Sequence, residues 1–257
     1  MESPSLSQQK GAENAYRFRE STLADLLSSF SAGKEVPGSG SANAIAAALA
    51  ACLASSVAIK THKAPGTKYL NVQQTAATVE RRSKRLVERL LELVDEDSAA
   101  FAPVIALRRR TGRADDPILQ DRAMRSEVAA LKPATEIPIQ IGRLAVEVGE
   151  LALSMLDSGF IPARGEAYTA LGQAIAAIDG AIFVAQLNVK TVRKRVSRLN
   201  DPALEADWMS RMVRDLRELR AEWHALRVRE HLARKAADRE TFEESLPVSR
   251  VAAHPNQ

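Results

Sequence analysis

The chain has 257 residues, of which 46% are hydrophobic, 26% charged and only 4% aromatic. That length can bury a sizeable core, and so few aromatics beside 12 Gly and 11 Pro argue for packed helices and against a β-sandwich. A net charge of +4 does not by itself mark a nucleic-acid binder, and the single cysteine, Cys52, excludes an intrachain disulfide and argues against a cysteine-based zinc site.

Residues 1 to 18 are polar, lack the apolar core of a signal peptide, and are expected to be a disordered leader. Ser21 or Thr22 can cap a short helix, TLADLLSSF, whose Leu23, Leu26, Leu27 and Phe30 share one apolar face. The loop Pro37-Gly38-Ser39-Gly40-Ser41 follows, with Ser41 as expected N-cap of a helix reaching Thr61. Nine of the seventeen residues from Ala42 to Ala58 are alanine. Such a stretch nearly matches a bilayer in length, but its alanine content and Ser55-Ser56 favour the core of a soluble, cytoplasmic protein. Cys52, between alanine and leucine, reads as a buried structural thiol rather than a nucleophile.

Pro65-Gly66 marks a turn, and a helical pattern then runs from about Leu70 to Phe101, with Val79, Leu86, Leu90, Leu93 and Val94 on one face. Pro103 is expected to interrupt it, with RRRTGRADDP as a charged connector. Another helix is expected from Ile118 to Leu131. Pro133 and Pro138 bracket a break, and an amphipathic helix from Ile141 to Met155 ends at Gly159. GFIPARGEA reads as a loop, before a second alanine-rich helix from about Ala167 to Val196 and a charged one from Pro202 to Phe242. Residues 243 to 257 read as a disordered tail. No stretch shows the alternation and hairpin turns of strands. The expectation is an all-α fold: one domain over residues 19 to 242, an antiparallel bundle of long helices, several alanine-rich and tightly packed.

Several of these segments together resemble the cyclodeaminase/cyclohydrolase family, which comprises the C-terminal domain of formiminotransferase-cyclodeaminase and stand-alone methenyltetrahydrofolate cyclohydrolases. The short TLADLLSSF helix, the PGSGS loop and the alanine-rich helix ending at Thr61 match the family's opening. Lys68-Tyr69, the Asp95–Asp97–Phe101 segment, ATEIP at 134–138 and the 165–189 helix then follow in register. Ser39 stands at the middle of a triple-glycine loop, Gly165-Glu166 replaces Ser-Asp, and Val184 replaces an asparagine while Asn188 remains.

The resemblance implies folate one-carbon chemistry: either closing formimidoyltetrahydrofolate to the methenyl compound with loss of ammonia, or opening the methenyl ring with water. Both need a group that moves protons at neutral pH. By its match, Glu166 is the first catalytic candidate, a helix-capping acid being the equal alternative. The resemblance makes Asp97 the second, on a helical face shared with Phe101 and not with Asp95, while the residues alone read Asp95, Glu96 and Asp97 as an acidic, solvated helix turn. Gly38, Ser39, Gly40 and Ser41 are candidates to lay backbone N–H groups against the substrate, unless they only connect helices. The resemblance adds Lys60, Lys68, Tyr69 and Asn188 as substrate-binding candidates, the lysines for glutamyl carboxylates or simply a solvated turn.

His62, His224, His231 and His254 show no metal-ligand spacing, so no metal is expected. No tightly bound cofactor is expected either: a tetrahydrofolate derivative is the substrate. The resemblance also implies a homodimer, and neither membrane nor nucleic acid is expected as a partner. Trp208 and Trp223 are candidate anchors of core or interface. Two alternatives stay open: a diverged C–N lyase or hydrolase on a non-folate substrate, and a non-catalytic helical binding protein. The second is suggested by the stretch from Lys190 to Arg239, which holds 14 Lys/Arg against 8 Asp/Glu.

Overall fold

Thr22 accepts the backbone N–H of Asp25 at 3.2 Å and so caps the first helix, α1 (Leu23–Ser31). The structure, a computed structural model, describes residues 17–112 and 116–245. Helix α2 is Ser39–Lys63, α3 Gln73–Thr111, α4 Pro117–Ser158, α5 Arg164–Arg198 and α6 Ala206–Ser245. Single 3-10 turns lie at Phe18–Glu20, Leu70–Val72 and Ile161–Ala163. No strand occurs among the described residues. Successive helices run antiparallel, and the all-α bundle is as expected.

Alanine-rich α2 lies in the middle, packed on α3, α4 and α5, while α6 packs on the outside of α4 and α5. Eight of the residues α2 buries are Ala or Gly, so its neighbours approach closely. α6 is seated on α4 in the same way: Gly142 and Gly149, two turns apart, receive Leu219 and Leu226, also two turns apart. A Cβ at Gly142 would come within 2.6 Å of the Leu219 side chain. Trp208 is 3% exposed, with its indole N–H donated to Glu136 at 2.8 Å, which makes it a core anchor of this contact. By length and composition α2 and the 161–198 stretch are apolar enough to cross a membrane; half of each such window is buried in the bundle.

The prolines do not break the helices where the sequence suggested. α3 runs through Pro103, and α4 through both Pro133 and Pro138. A helical proline strips the donor from the carbonyl four residues earlier. For Pro103 and Pro133 those residues, Ala99 and Ala129, are exposed, so solvent can substitute. For Pro138 it is buried Ala134, and there the amide of Asn188 donates to the carbonyl at 2.7 Å. Arg108 to Thr111 are therefore helical, and the connector shrinks to a few residues after Thr111.

Other boundaries also move. Gly38, not Ser41, is the N-cap of α2, because its carbonyl takes the Ala42 N–H at 3.1 Å and helical turns start at Ser39. The 160–166 segment is a 3-10 turn running into α5 rather than a loop. Phe18 at the end of the expected leader packs on the core, and Glu243 to Ser245 of the expected tail continue α6. Residues 1–16 of the expected leader and 246–257 of the expected tail, with His254, lie outside the described residues. Cys52 is exposed, on the face of α2 opposite Ala50, Ala51 and Ala54, and partial burial pushes its thiol pKa up. The apolar face of α1 is largely uncovered in the single chain, with Leu23 and Leu27 both exposed.

Candidate functional site

At one end of the bundle, the N-terminus of α2 faces the middle of α4 and the C-terminal half of α5 across a cleft of about 560 Å³. Its lining includes Gly38, Ser39, Gly40, Asp97, Phe101 and Asn188. Five of the expected site residues thus meet here, and a sixth, Ser41, lies directly beneath.

Asp97 is the chemical centre of the cleft. It is 7% exposed, and one carboxylate oxygen, Oδ2, accepts both the Ser41 backbone N–H at 2.8 Å and the Ser41 hydroxyl at 2.9 Å. The other oxygen has no donor among the described residues. Burial pushes the Asp97 pKa up from the usual carboxylate range, against the downward pull of the two Ser41 hydrogen bonds. Ser41 is itself held by its hydroxyl contacts to the Val94 carbonyl and Ser98, both at 3.1 Å. Gly40 is required by this arrangement: a Cβ there would lie 2.5 Å from Asp97 Cγ. The glycine-serine loop therefore admits a carboxylate of the neighbouring helix against the α2 backbone. Asp95, two residues away, turns to Arg19 on the outside of the bundle.

A positively charged wall borders this centre. Arg108 stacks 5.6 Å from the Phe101 ring, and its Nε donates at 3.0 Å to Glu127, a fully buried carboxylate that Arg195 also contacts at 2.9 Å. Such a pair fixes the Arg108 side chain more than it stabilises the fold. Lys190 and Lys194 complete the wall, and neither makes an ion pair among the described residues. Sequence reasoning missed Arg108, Glu127, Lys190 and Lys194 as site residues. A signal existed for part of this group, since Val184, Leu187, Asn188, Thr191 and Lys194 recur at intervals of three and four, one face of α5.

Glu166, Lys60, Lys68 and Tyr69 occupy the other end of the bundle. From Ser41 to Lys60 along α2 is roughly 28 Å at 1.5 Å per residue. The Lys60 ammonium donates to the Glu166 carboxylate and holds its pKa below the usual range. Tyr69 is a packing residue: its hydroxyl accepts the Ile161 N–H at 3.2 Å and its ring meets Phe160 edge-on. Lys68 lies 5.9 Å from that ring. Within one chain, then, the two catalytic candidates do not share a hollow.

A helical bundle whose one deep cleft among the described residues with a buried carboxyl and a cationic wall has no nucleophile–base pair is suited to proton transfer on a small anionic substrate. The chain belongs to the formiminotransferase-cyclodeaminase family, whose model matches residues 22–201. It is 28% identical over 174 residues to methenyltetrahydrofolate cyclohydrolase of Methylorubrum extorquens, a match covering 68% of this chain and 82% of that protein. The fold is similar to that of formiminotetrahydrofolate cyclodeaminase from Thermotoga maritima, with TM-score 0.61, 18% identity, and 83% of this chain and 96% of that one covered. The family is one of folate one-carbon enzymes of cyclohydrolase and cyclodeaminase type.

Proposed function

We propose that the chain opens the methenyl ring of 5,10-methenyltetrahydrofolate with water, as a cyclohydrolase, with Asp97 as the proton-transfer group. The observation that carries this is the Asp97 carboxyl: buried, raised in pKa, tied through one oxygen to Ser41 and bare on the other. The similarity to a cyclohydrolase supports the direction.

The reaction needs little covalent help, because the methenyl carbon is bonded to two nitrogens in a cation and is already electrophilic. Asp97 takes one proton from water as its oxygen bonds to that carbon. The carbon–N5 bond then breaks, N5 gains a proton, and the formyl group stays on N10. One proton is released overall. Holding water between the bare Asp97 oxygen and the substrate supplies most of the acceleration. Phe101 and Val184 offer apolar contacts to a flat ring, and the Arg108–Lys190–Lys194 wall attracts the substrate's carboxylates. Ammonia loss from formimidoyltetrahydrofolate would use the same carboxyl to protonate the departing nitrogen. The substitution of Val184 for an asparagine motivates testing a non-folate substrate as the alternative.

A homodimer belongs to the same proposal. Leu49, Phe183 and Leu187 expose an apolar face on α2 and α5 beside Cys52, with Phe183 61% exposed. Leu49 and Cys52 lie midway along α2 between Ser41 and Lys60. A two-fold axis there would run two copies of α2 antiparallel and bring Glu166 of a second copy toward the cleft. Only in this way does Glu166 enter the chemistry.

The test follows methenyltetrahydrofolate absorbance with the purified protein, beside an assay for ammonia from formimidoyltetrahydrofolate. Faster decay of the methenyl band than in buffer, lost in Asp97→Asn, is the expected result. An intact protein that neither hydrolyses nor binds any tetrahydrofolate derivative would end the folate reading.

A further inference from the structure

Lys190 stands on a shared wall. On one side it lines the Asp97 cleft, and on the other a groove of about 360 Å³ between α5 and α6. Arg193 of α5 and Arg217 and Arg220 of α6 edge this groove over a floor of Val189, Val213 and Leu216. A second hollow continues it toward Pro202, past Arg193, Arg214 and Arg217. No acidic residue lines either.

Five cations are thus gathered here, and none of Lys190, Arg193, Arg214, Arg217 and Arg220 makes an ion pair among the described residues. Many arginines elsewhere in the bundle are paired, among them Arg125 with Asp201, Arg143 with Asp215 and Arg229 with Glu150, and among the described residues no other hollow gathers so many unpaired cations. The acids within this stretch of α6 turn away, Asp215 to Arg143 at 3.3 Å, while Glu218 stays off the groove. Unpaired like charges repel one another, and a low-dielectric apolar floor focuses their field on a bound anion. α6 lies beyond residue 201, where the family match ends, so the family's common part supplies the α5 wall of this groove but not its α6 wall.

We propose that the α5–α6 groove is an oligoanion track, occupied by a tail of several carboxylates attached to the substrate whose reacting end sits in the Asp97 cleft. This rests on the folate reading, since folates carry glutamyl carboxylates that are extended by further γ-linked glutamates. Continuity through Lys190 is the argument for such a tail: the same lysine lines the cleft and the groove, and beyond it Arg193, Arg217 and Arg220 line the groove with no acid among them. Single-stranded nucleic acid fits less well, because it needs exposed aromatic faces on which bases stack. No aromatic residue lines the groove, and Trp208 is buried.

The test measures free tetra-γ-glutamate binding to the full chain by calorimetry, and the KM ratio of monoglutamyl to pentaglutamyl methenyltetrahydrofolate. Binding that weakens with added salt and drops roughly tenfold or more in Arg217→Glu/Arg220→Glu is expected. The KM advantage of the longer tail is expected to collapse in that variant. Arg81→Glu/Arg85→Glu, on the exposed face of α3, makes the same change of net charge and is expected to alter neither reading. Turnover of the monoglutamyl substrate with no tetra-γ-glutamate binding overturns the track and leaves the folate reading standing. Tail binding without turnover of any folate upholds the track and removes that reading. Equal losses in both variants, or tighter binding of a generic oligonucleotide than of the tail, also overturn the track.

Discussion

Asn188 repairs what Pro138 removes: its side-chain N–H donates at 2.7 Å to the Ala134 carbonyl, the acceptor that a non-proline at 138 would satisfy from within α4. Ala134 is 3% exposed, so the oxygen has no ready recourse to water. Asn188→Ala should therefore cost about 1–3 kcal/mol, the penalty of a buried acceptor left unpaired. In a Pro138→Ala background the restored N–H should take over, and the cost of losing Asn188 should fall. A double-mutant cycle by urea unfolding checks this: strict additivity would mean that the two residues are not coupled.

Gly40 and Asp97 are coupled by space. A methyl group at residue 40 would lie 2.7 Å from Asp97 Oδ2, the oxygen held by Ser41. Gly40→Ala must push the carboxylate off its two donors or shift the start of α2. Either displacement should lower kcat/KM by about tenfold or more, since small misplacements of a catalytic group are expensive. A variant with unchanged kcat/KM and an unchanged melting point would show that the contact is not structural.

Most of the architecture was legible because the apolar periodicity of long helices survives in one sequence. The prolines misled, because whether a helical proline is tolerated depends on the burial of the carbonyl it orphans and on a distant residue such as Asn188. At the cleft, Asp97 and the glycine loop could be read, since a helical face and small residues are local signals. Glu127 could not: it looks like any solvated glutamate until Arg108 and Arg195 close over it. Position along the bundle was equally invisible. Lys60 and Ser41 lie on one helix, and only its length separates the Glu166 end from the cleft.

The Asp97 carboxyl makes a pH-dependent contribution whose sign is fixed. Its folded pKa is raised by burial, so its favourable contribution is complete below the unfolded value and is lost as pH rises through the folded one. Asp97→Asn removes that loss. The variant should gain in urea midpoint relative to the parent between acid and neutral pH, while hydrolysis falls by about 10²–10⁴-fold. Urea titrations at both ends of that window measure the first effect. A relative stability independent of pH would remove the raised pKa from the account.

Glu166 provides the sharpest check on how two ends of the bundle could cooperate. In one chain its carboxylate is held ionised by Lys60, far from Asp97. Under the proposed two-fold packing, a site draws Asp97 from one copy and Glu166 from the other. Asp97→Asn and Glu166→Gln should then each lose activity alone. Mixed and reassembled in equal amounts, half the dimers contain both variants, and in these one site is doubly altered while the other is intact. About a quarter of the parent activity should return. Full activity of Glu166→Gln by itself would confine the chemistry to a single chain, and failure of the mixture to recover would place both carboxylates on one subunit's site or exclude this dimer.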